Sequence, residues 1–155
     1  MNRLVPVLML GIGGTGLAGA AAGDTVAERL RACLDAAADR AAEYACRGVE
    51  ASMCMQASAD GSTTAGMATC IGKEAEAWEA LVEEALTRIA EAAGDTAATP
   101  AQSAWEAFRA ADCDTAARLW GEGSMAGIAA ADCWLDRTAS RAMELRARLS
   151  ALEMR

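Results

Sequence analysis

The chain has 155 residues, 54% of them hydrophobic but only 4% aromatic, with 14 Lys and Arg against 22 Asp and Glu for a formal charge of −8. An acidic field of this size disfavours nucleic acid and anionic membrane surfaces and favours basic partners, and it also keeps an alanine-rich protein in solution. The sequence contains no histidine, which excludes Ser–His and Cys–His nucleophilic catalysis and leaves six scattered cysteines, none in a C-x2-C pair, as poor material for a zinc site.

Residues 1 to 20 combine Arg3 with an apolar run from Leu4 to Leu10 that continues through small residues to Leu17, followed by Ala-x-Ala choices at Ala18/Ala20 and Ala20/Ala22. This is the pattern of a secretory signal peptide cleaved after Ala20 or Ala22. The segment Gly11-Ile12-Gly13-Gly14-Thr15-Gly16 matches G-x-G-x-x-G, but a dinucleotide fingerprint needs flanking strands, and no strand pattern follows. Leu17-Ala18-Gly19-Ala20 has the shape of a lipoprotein cleavage box with Ala where the lipidated Cys would stand, so no lipid anchor is expected. No other run reaches the roughly 18 to 20 apolar residues of a membrane span. Cleavage removes Arg3 and no acid, taking 14 basic residues to 13 against 22 acidic ones, a charge of about −9. A soluble periplasmic or secreted protein is expected.

The spacing of Val26, Leu30, Cys33, Ala37, Ala41 and Tyr44 predicts a first helix over 25–45. A long connection from Arg47-Gly48 to Gly61-Ser62-Thr63 follows, carrying Cys54 just after Cys46, and a connection of that length inside a domain calls for a staple. Ile71, Ala75, Trp78, Val82, Ala85, Ile89 and Ala92 predict a second helix from about Thr64 to Ala93, ended by Gly94-Asp95. Thr99-Pro100-Ala101-Gln102 reads as the start of a third, with Thr99 as N-cap, Pro100 at the first helical position and Gln102 closing a capping box. Along it Ala104, Phe108, Ala111 and Thr115 form an apolar edge, beside a mixed edge of Gln102, Trp105, Arg109 and Asp112/Cys113. Gly121 and Gly123 break the pattern, and Ser124 is placed to cap a fourth helix with the stripe Ile128, Ala131, Leu135, Thr138, Ala142, Leu145, Leu149 and Leu152. The reading is all-α: a small bundle of about four helices in one domain over 24–155.

The motif A-Q-x2-W-x2-F-R-x3-C, a Gly/Ser pair, then C-x4-T-x2-R-x3-L resembles the LprI-type lysozyme inhibitor N-terminal domain, a small secreted helical family. It is carried by Gln102, Trp105, Phe108, Arg109, Cys113, Gly123, Ser124, Cys133, Thr138, Arg141 and Leu145, and extended by CIGKEAEAWEALVEEAL from Cys70. The sequence departs from the family over Trp78–Glu83, where members show an Asp and a Leu-Asn pair. Most of these residues read as structural: Arg109 is placed to stack on Trp105 four residues earlier and to pair with a carboxylate, and Arg141 falls near the helix seam.

An even number of cysteines in a small exported chain argues for up to three disulfides. Six cysteines allow 15 pairings; chain proximity and the family pattern favour Cys113 with Cys133, closing a loop that stabilises by about 3 kcal/mol in the chain-entropy model. Cys46 with Cys54 comes next, which leaves Cys33 with Cys70. No cofactor or metal is implied. Nearly all carboxylates fall on polar faces; only Asp112 approaches a buried position, with a role beside Arg109 or at the cysteine bridge, so no catalytic residue is assigned.

The best binding element is the loop Trp120-Gly121-Glu122-Gly123-Ser124, which offers an acid beside an aromatic on a connection braced by Cys113 and Cys133. A loop held in place loses less entropy on binding. The resemblance implies a non-enzymatic inhibitor that binds a muramidase, and because c-type lysozymes are basic, an acidic inhibitor would be steered to such an enzyme or to another cell-wall hydrolase. The alternative is a non-catalytic envelope interaction or structural module with a different partner.

Overall fold

Helix α4, Thr64–Ala93, is the element against which the helices Val26–Ala36, Val49–Ala57 and Met125–Glu153 pack, and its sequence accounts for both its length and its buried side. Thr63 caps its start by accepting from the Gly66 N–H at 3.0 Å, and Gly94, with φ of 96°, ends it. Between these caps Ile71, Ala75, Trp78, Val82, Ala85 and Ile89 recur at helical spacing and are all buried, with Trp78 fully so. The computed structural model describes residues 25–155 apart from 95 and 97. The expected signal peptide, its cleavage sites and the glycine-rich segment 11–16 lie outside the described residues.

The other helices are α1 (Val26–Ala36), α2 (Arg40–Ala45), α3 (Val49–Ala57), α5 (Thr99–Arg118) and α6 (Met125–Glu153). The fold is all-α and stapled by disulfides, with no strand among the described residues. The expected helical stretches are present, α4 with the bounds read from its pattern, but the N-terminal third is more finely divided. Helices α4 and α6 run parallel, as the contacts Glu79–Arg109–Thr138 and Arg88–Glu153 show, while α5 runs antiparallel to α6, with Gln102 against Arg141 and Cys113 against Cys133. The core lies mainly between α4 and α6, where Leu135, Ala139, Ala142, Met143, Leu145 and Leu149 face the α4 stripe, and Leu30 and Leu34 of α1 join the same cluster. No described helix is long and apolar enough to cross a membrane.

Several expectations are corrected. The helix expected over 25–45 breaks at Ala37, and Asp39 caps α2 by accepting from the Ala42 N–H at 2.9 Å. The break brings Cys33 and Cys46 to a Cα separation of 5.9 Å and joins them, whereas an unbroken helix would hold them roughly 20 Å apart. The connection expected to be irregular folds into α3, which packs antiparallel on α4 and directs Cys54 to Cys70. The expected pairs Cys46–Cys54 and Cys33–Cys70 are therefore replaced by Cys33–Cys46 and Cys54–Cys70. Cys113 is bonded to Cys133. Thr99 is the first residue of α5 rather than its cap; the N-cap is Ala98, no side chain caps it, and Gln102 closes no capping box because it turns inward to Arg141. Ser124 stands at the N-cap of α6 without a side-chain cap bond.

One buried carboxylate assembles the N-terminal third. Gly48, with φ of 86°, begins α3 without a side chain of its own to cap it. Glu74 of α4, 1% exposed, supplies the acceptors: its oxygens take the Gly48 N–H and the Ala51 N–H, each at 2.7 Å, and the Trp78 indole N–H at 3.0 Å. A helix N-terminus and an indole N–H thus satisfy a carboxylate that burial would otherwise penalise. Arg29 of α1 then reaches Glu50 in the first turn of α3 at 2.5 Å. Glu74→Ala is expected to cost about 3 kcal/mol of unfolding free energy, because buried donors lose their acceptor, whereas Glu83→Ala on the exposed side of the same helix should stay within about 0.5 kcal/mol. Denaturant unfolding of the two variants checks this, and similar losses in both would refute the tertiary cap.

Candidate functional site

Helix α5 buries only Gln102 and Cys113. Its expected apolar edge faces outward: Ala104, Phe108, Ala111 and Thr115 are all exposed, Phe108 by 52%. The mixed edge docks instead. Arg109 lies over the rings of Trp105 at 4.6 Å and Trp134 at 4.0 Å, and its Nη1 donates to Glu79 of α4 at 2.7 Å and to the Thr138 hydroxyl of α6 at 2.8 Å. One guanidinium therefore ties three helices together. Arg141, 4% exposed, donates from Nε to Gln102 at 3.0 Å and from Nη1 to Glu144 at 2.8 Å, with its guanidinium 5.6 Å from the Trp105 ring. Arg137 donates to Asp112 at 2.8 Å and lies over Phe108 at 5.6 Å.

The motif residues Gln102, Trp105, Arg109, Cys113, Cys133, Thr138 and Arg141 thus converge on one seam, while Leu145 is buried in the α4–α6 core. Phe108, of the same motif, points mostly to solvent, and its Gly123 and Ser124 are exposed. Asp112 is half-buried and lies beside the bridge, its Oδ2 3.8 Å from Cys133 Sγ, and it pairs with Arg137 rather than Arg109. The two sulfurs next to it are bonded to each other and offer no thiolate to an ion.

Beyond the bridge the chain turns. Helix α5 ends at Arg118, and Trp120 N–H and Gly121 N–H donate to the carbonyls of Ala117 and Arg118. Gly121 has φ of 63°, a left-handed conformation that explains a glycine there. Glu122, Gly123 and Ser124 are exposed and lead into α6. Leu119 is 83% exposed and Trp120 56%, and Met125 lies partly open beside them. Between α5 and α6 behind this turn is a groove of about 540 Å³. Ala116, Ala129 and Ile128 line it, Ile71 and Cys133 form its floor, and Asp112, Asp132, Asp136 and Arg137 stand along its inner end. The turn and its acid were legible as a binding element from Gly121, Glu122 and Gly123. The groove was not, because its lining is drawn from three helices, Ile71 on α4, Ala116 on α5 and Ala129 on α6 among them, that only the packing brings together.

The acidic end of the groove is tied back to α2. Arg47 lies 3.4 Å from Asp132 and 3.5 Å from Asp136, and the Tyr44 hydroxyl donates to Asp136 at 2.5 Å. The hydrogen bond to Asp136 raises the Tyr44 pKa above its ordinary value; desolvation adds to the effect and Arg47 opposes it.

These features define a class: a small disulfide-stapled helical scaffold that presents an exposed aromatic turn and an acid-edged groove, with its motif arginines, Gln102 and cysteines spent on holding helices together. The family model of the lysozyme inhibitor LprI matches residues 54–145, and the chain belongs to that family. The match runs from Cys54, at the second disulfide, through α4, α5 and the Cys113–Cys133 bridge to Leu145. No curated protein and no solved structure matches the chain.

The raised Tyr44 pKa favours the folded state below the ordinary tyrosine value near 10, and that contribution is lost as pH rises through the folded value. Tyr44 is the only tyrosine, so ultraviolet absorbance of tyrosinate reports this one group. Its ionisation midpoint is expected above that of free tyrosine and to fall towards it in Asp136→Ala; a midpoint that the substitution leaves in place would contradict the contact.

Proposed function

We propose that the protein is a non-catalytic inhibitor of a lysozyme-type muramidase, exported from the cytoplasm by its first 20 residues and acting as one helical domain over 24–155 through protein–protein binding. The Trp120–Ser124 turn is the element that enters or covers the enzyme's cleft. The observation that carries this assignment of the surface is the exposure of Leu119 and Trp120 on a turn fixed by the Cys113–Cys133 bridge, in a chain with only four Trp and one Phe. Large exposed apolar side chains on a rigid support are what binding surfaces use, Trp above all. Membership of the LprI family supports the target, three disulfides support an oxidising compartment, and the charge of −8 supports a basic partner.

The test is the residual activity of a basic c-type lysozyme on cell walls, titrated with the oxidised protein at low and moderate salt. Stoichiometric inhibition that weakens with salt is expected. Glu122→Lys should weaken it at least tenfold more than Glu91→Lys, which makes the same change in net charge some 20 residues, about 30 Å, along α4 from the groove floor at Ile71. Equal effects would reduce the turn to one part of a general field, and no inhibition across lysozyme types would overturn the proposal.

A further inference from the structure

The α5–α6 groove has a composition that the turn alone does not explain. Its walls are small where two packed helices would ordinarily meet through large side chains: Ala116 and Thr115 on α5, Ala129 on α6. Its outer rim is apolar and open, formed by Leu119, Trp120 and Met125. At its inner end three aspartates stand against two arginines, Asp112 paired with Arg137 and Asp132 and Asp136 sharing Arg47, which leaves one acid in excess, and the Asp132 side chain is 60% exposed. The bridge between Cys113 and Cys133, with Cα atoms 5.4 Å apart, sets the spacing of the two helices at that end. The bridge holds the helices together there and so fixes the base of the cleft before anything binds, which limits the rearrangement that filling it would cost.

We propose that this groove receives a large apolar side chain that projects from the muramidase with Lys or Arg beside it. The proposal rests on the inhibitor reading and adds a reciprocal contact: the inhibitor's turn meets the enzyme, and the enzyme inserts a side chain behind the turn. The volume of about 540 Å³ accommodates an aliphatic or aromatic side chain with part of its backbone, and the alanines leave it room. The flanking cation meets Asp132, which stays 60% exposed beside Arg47 while Asp136 is held by Tyr44 and Arg47, and the acid in excess selects a basic partner over a neutral one. The occupant is thus a basic protein surface with an apolar protrusion, the chemistry expected of a cationic enzyme facing an acidic inhibitor.

Two substitutions that leave the turn intact test this, in an inhibition titration of a basic c-type lysozyme by the oxidised full chain. Ala129→Trp fills the groove from a half-buried position open to solvent, and Asp132→Lys reverses the charge at its most exposed acid. Each is expected to raise the inhibition constant tenfold or more with an unchanged helical circular dichroism spectrum. Asp132→Lys should also flatten the dependence on salt. If the wild type inhibits and Glu122→Lys weakens it while either groove variant inhibits normally, the groove is overturned and the turn stands. If the wild type binds no lysozyme, the inhibitor reading and the groove's occupant fall together. Should Ala129→Trp lose its helical spectrum, Ala116→Glu on the opposite wall replaces it under the same criteria.

Discussion

Helix α5 is attached to the rest of the protein with almost no hydrophobic burial, and the exposed turn, the groove and the outward apolar edge all depend on how that is done. The attachment is a stacked and hydrogen-bonded seam, with Arg109 between Trp105 and Trp134 and bonded to both Glu79 and Thr138, reinforced by Arg141 with Gln102 and by the bridge from Cys113 to Cys133. A guanidinium suits this position because it is planar, stacks on rings and still has donors at its edge; Lys would meet one partner at a time. Holding α5 in this way frees its apolar edge from core duty. Phe108 and Leu119 can then face solvent without loss to the interior, because the core between α4 and α6 is complete without them.

Stability and recognition are accordingly separated along the chain. The N-terminal third is fastened by two disulfides and by Glu74, which caps α3 from the neighbouring helix and holds the Trp78 ring edge. The long helices α4 and α6 supply most of the buried surface. At the far end of α5, beyond the bridge of the family motif, Leu119, Trp120 and Met125 are exposed side by side; Tyr44, Val49 and Met53 are exposed in the N-terminal third but do not share a turn. That separation is what a binding module requires, since its contact residues can vary without disturbing the core.

Much of this architecture was legible in the residues. Helix α4 was readable because Thr63, Gly94 and the stripe from Ile71 to Ile89 agree at every level, and the stacking of Arg109 on Trp105 followed from their four-residue spacing. The inward face of α5 was not, because hydrophobicity assigns Ala104 and Phe108 to the core, whereas the side chains that bury there are amphipathic and gain their place by stacking and hydrogen bonding. The break at Ala37 was hidden by a helical pattern that continues to Tyr44; what overrides it is the tertiary pairing of Cys33 with Cys46. Glu74 sits on the core side of α4, between Ile71 and Trp78, and an acid at such a position was itself a signal that a donor must meet it, though nothing local says that the donor is the start of α3.

Hydrogen exchange of the oxidised protein, free and saturated with a basic c-type lysozyme, tests most directly whether the end of the α5–α6 hairpin is the inhibitory surface. Protection on binding should be confined to about residues 112–133, spanning the turn and both groove walls, with α1 to α3 unchanged. Protection centred on α1 to α3, or none in the turn under saturating conditions, would contradict the account.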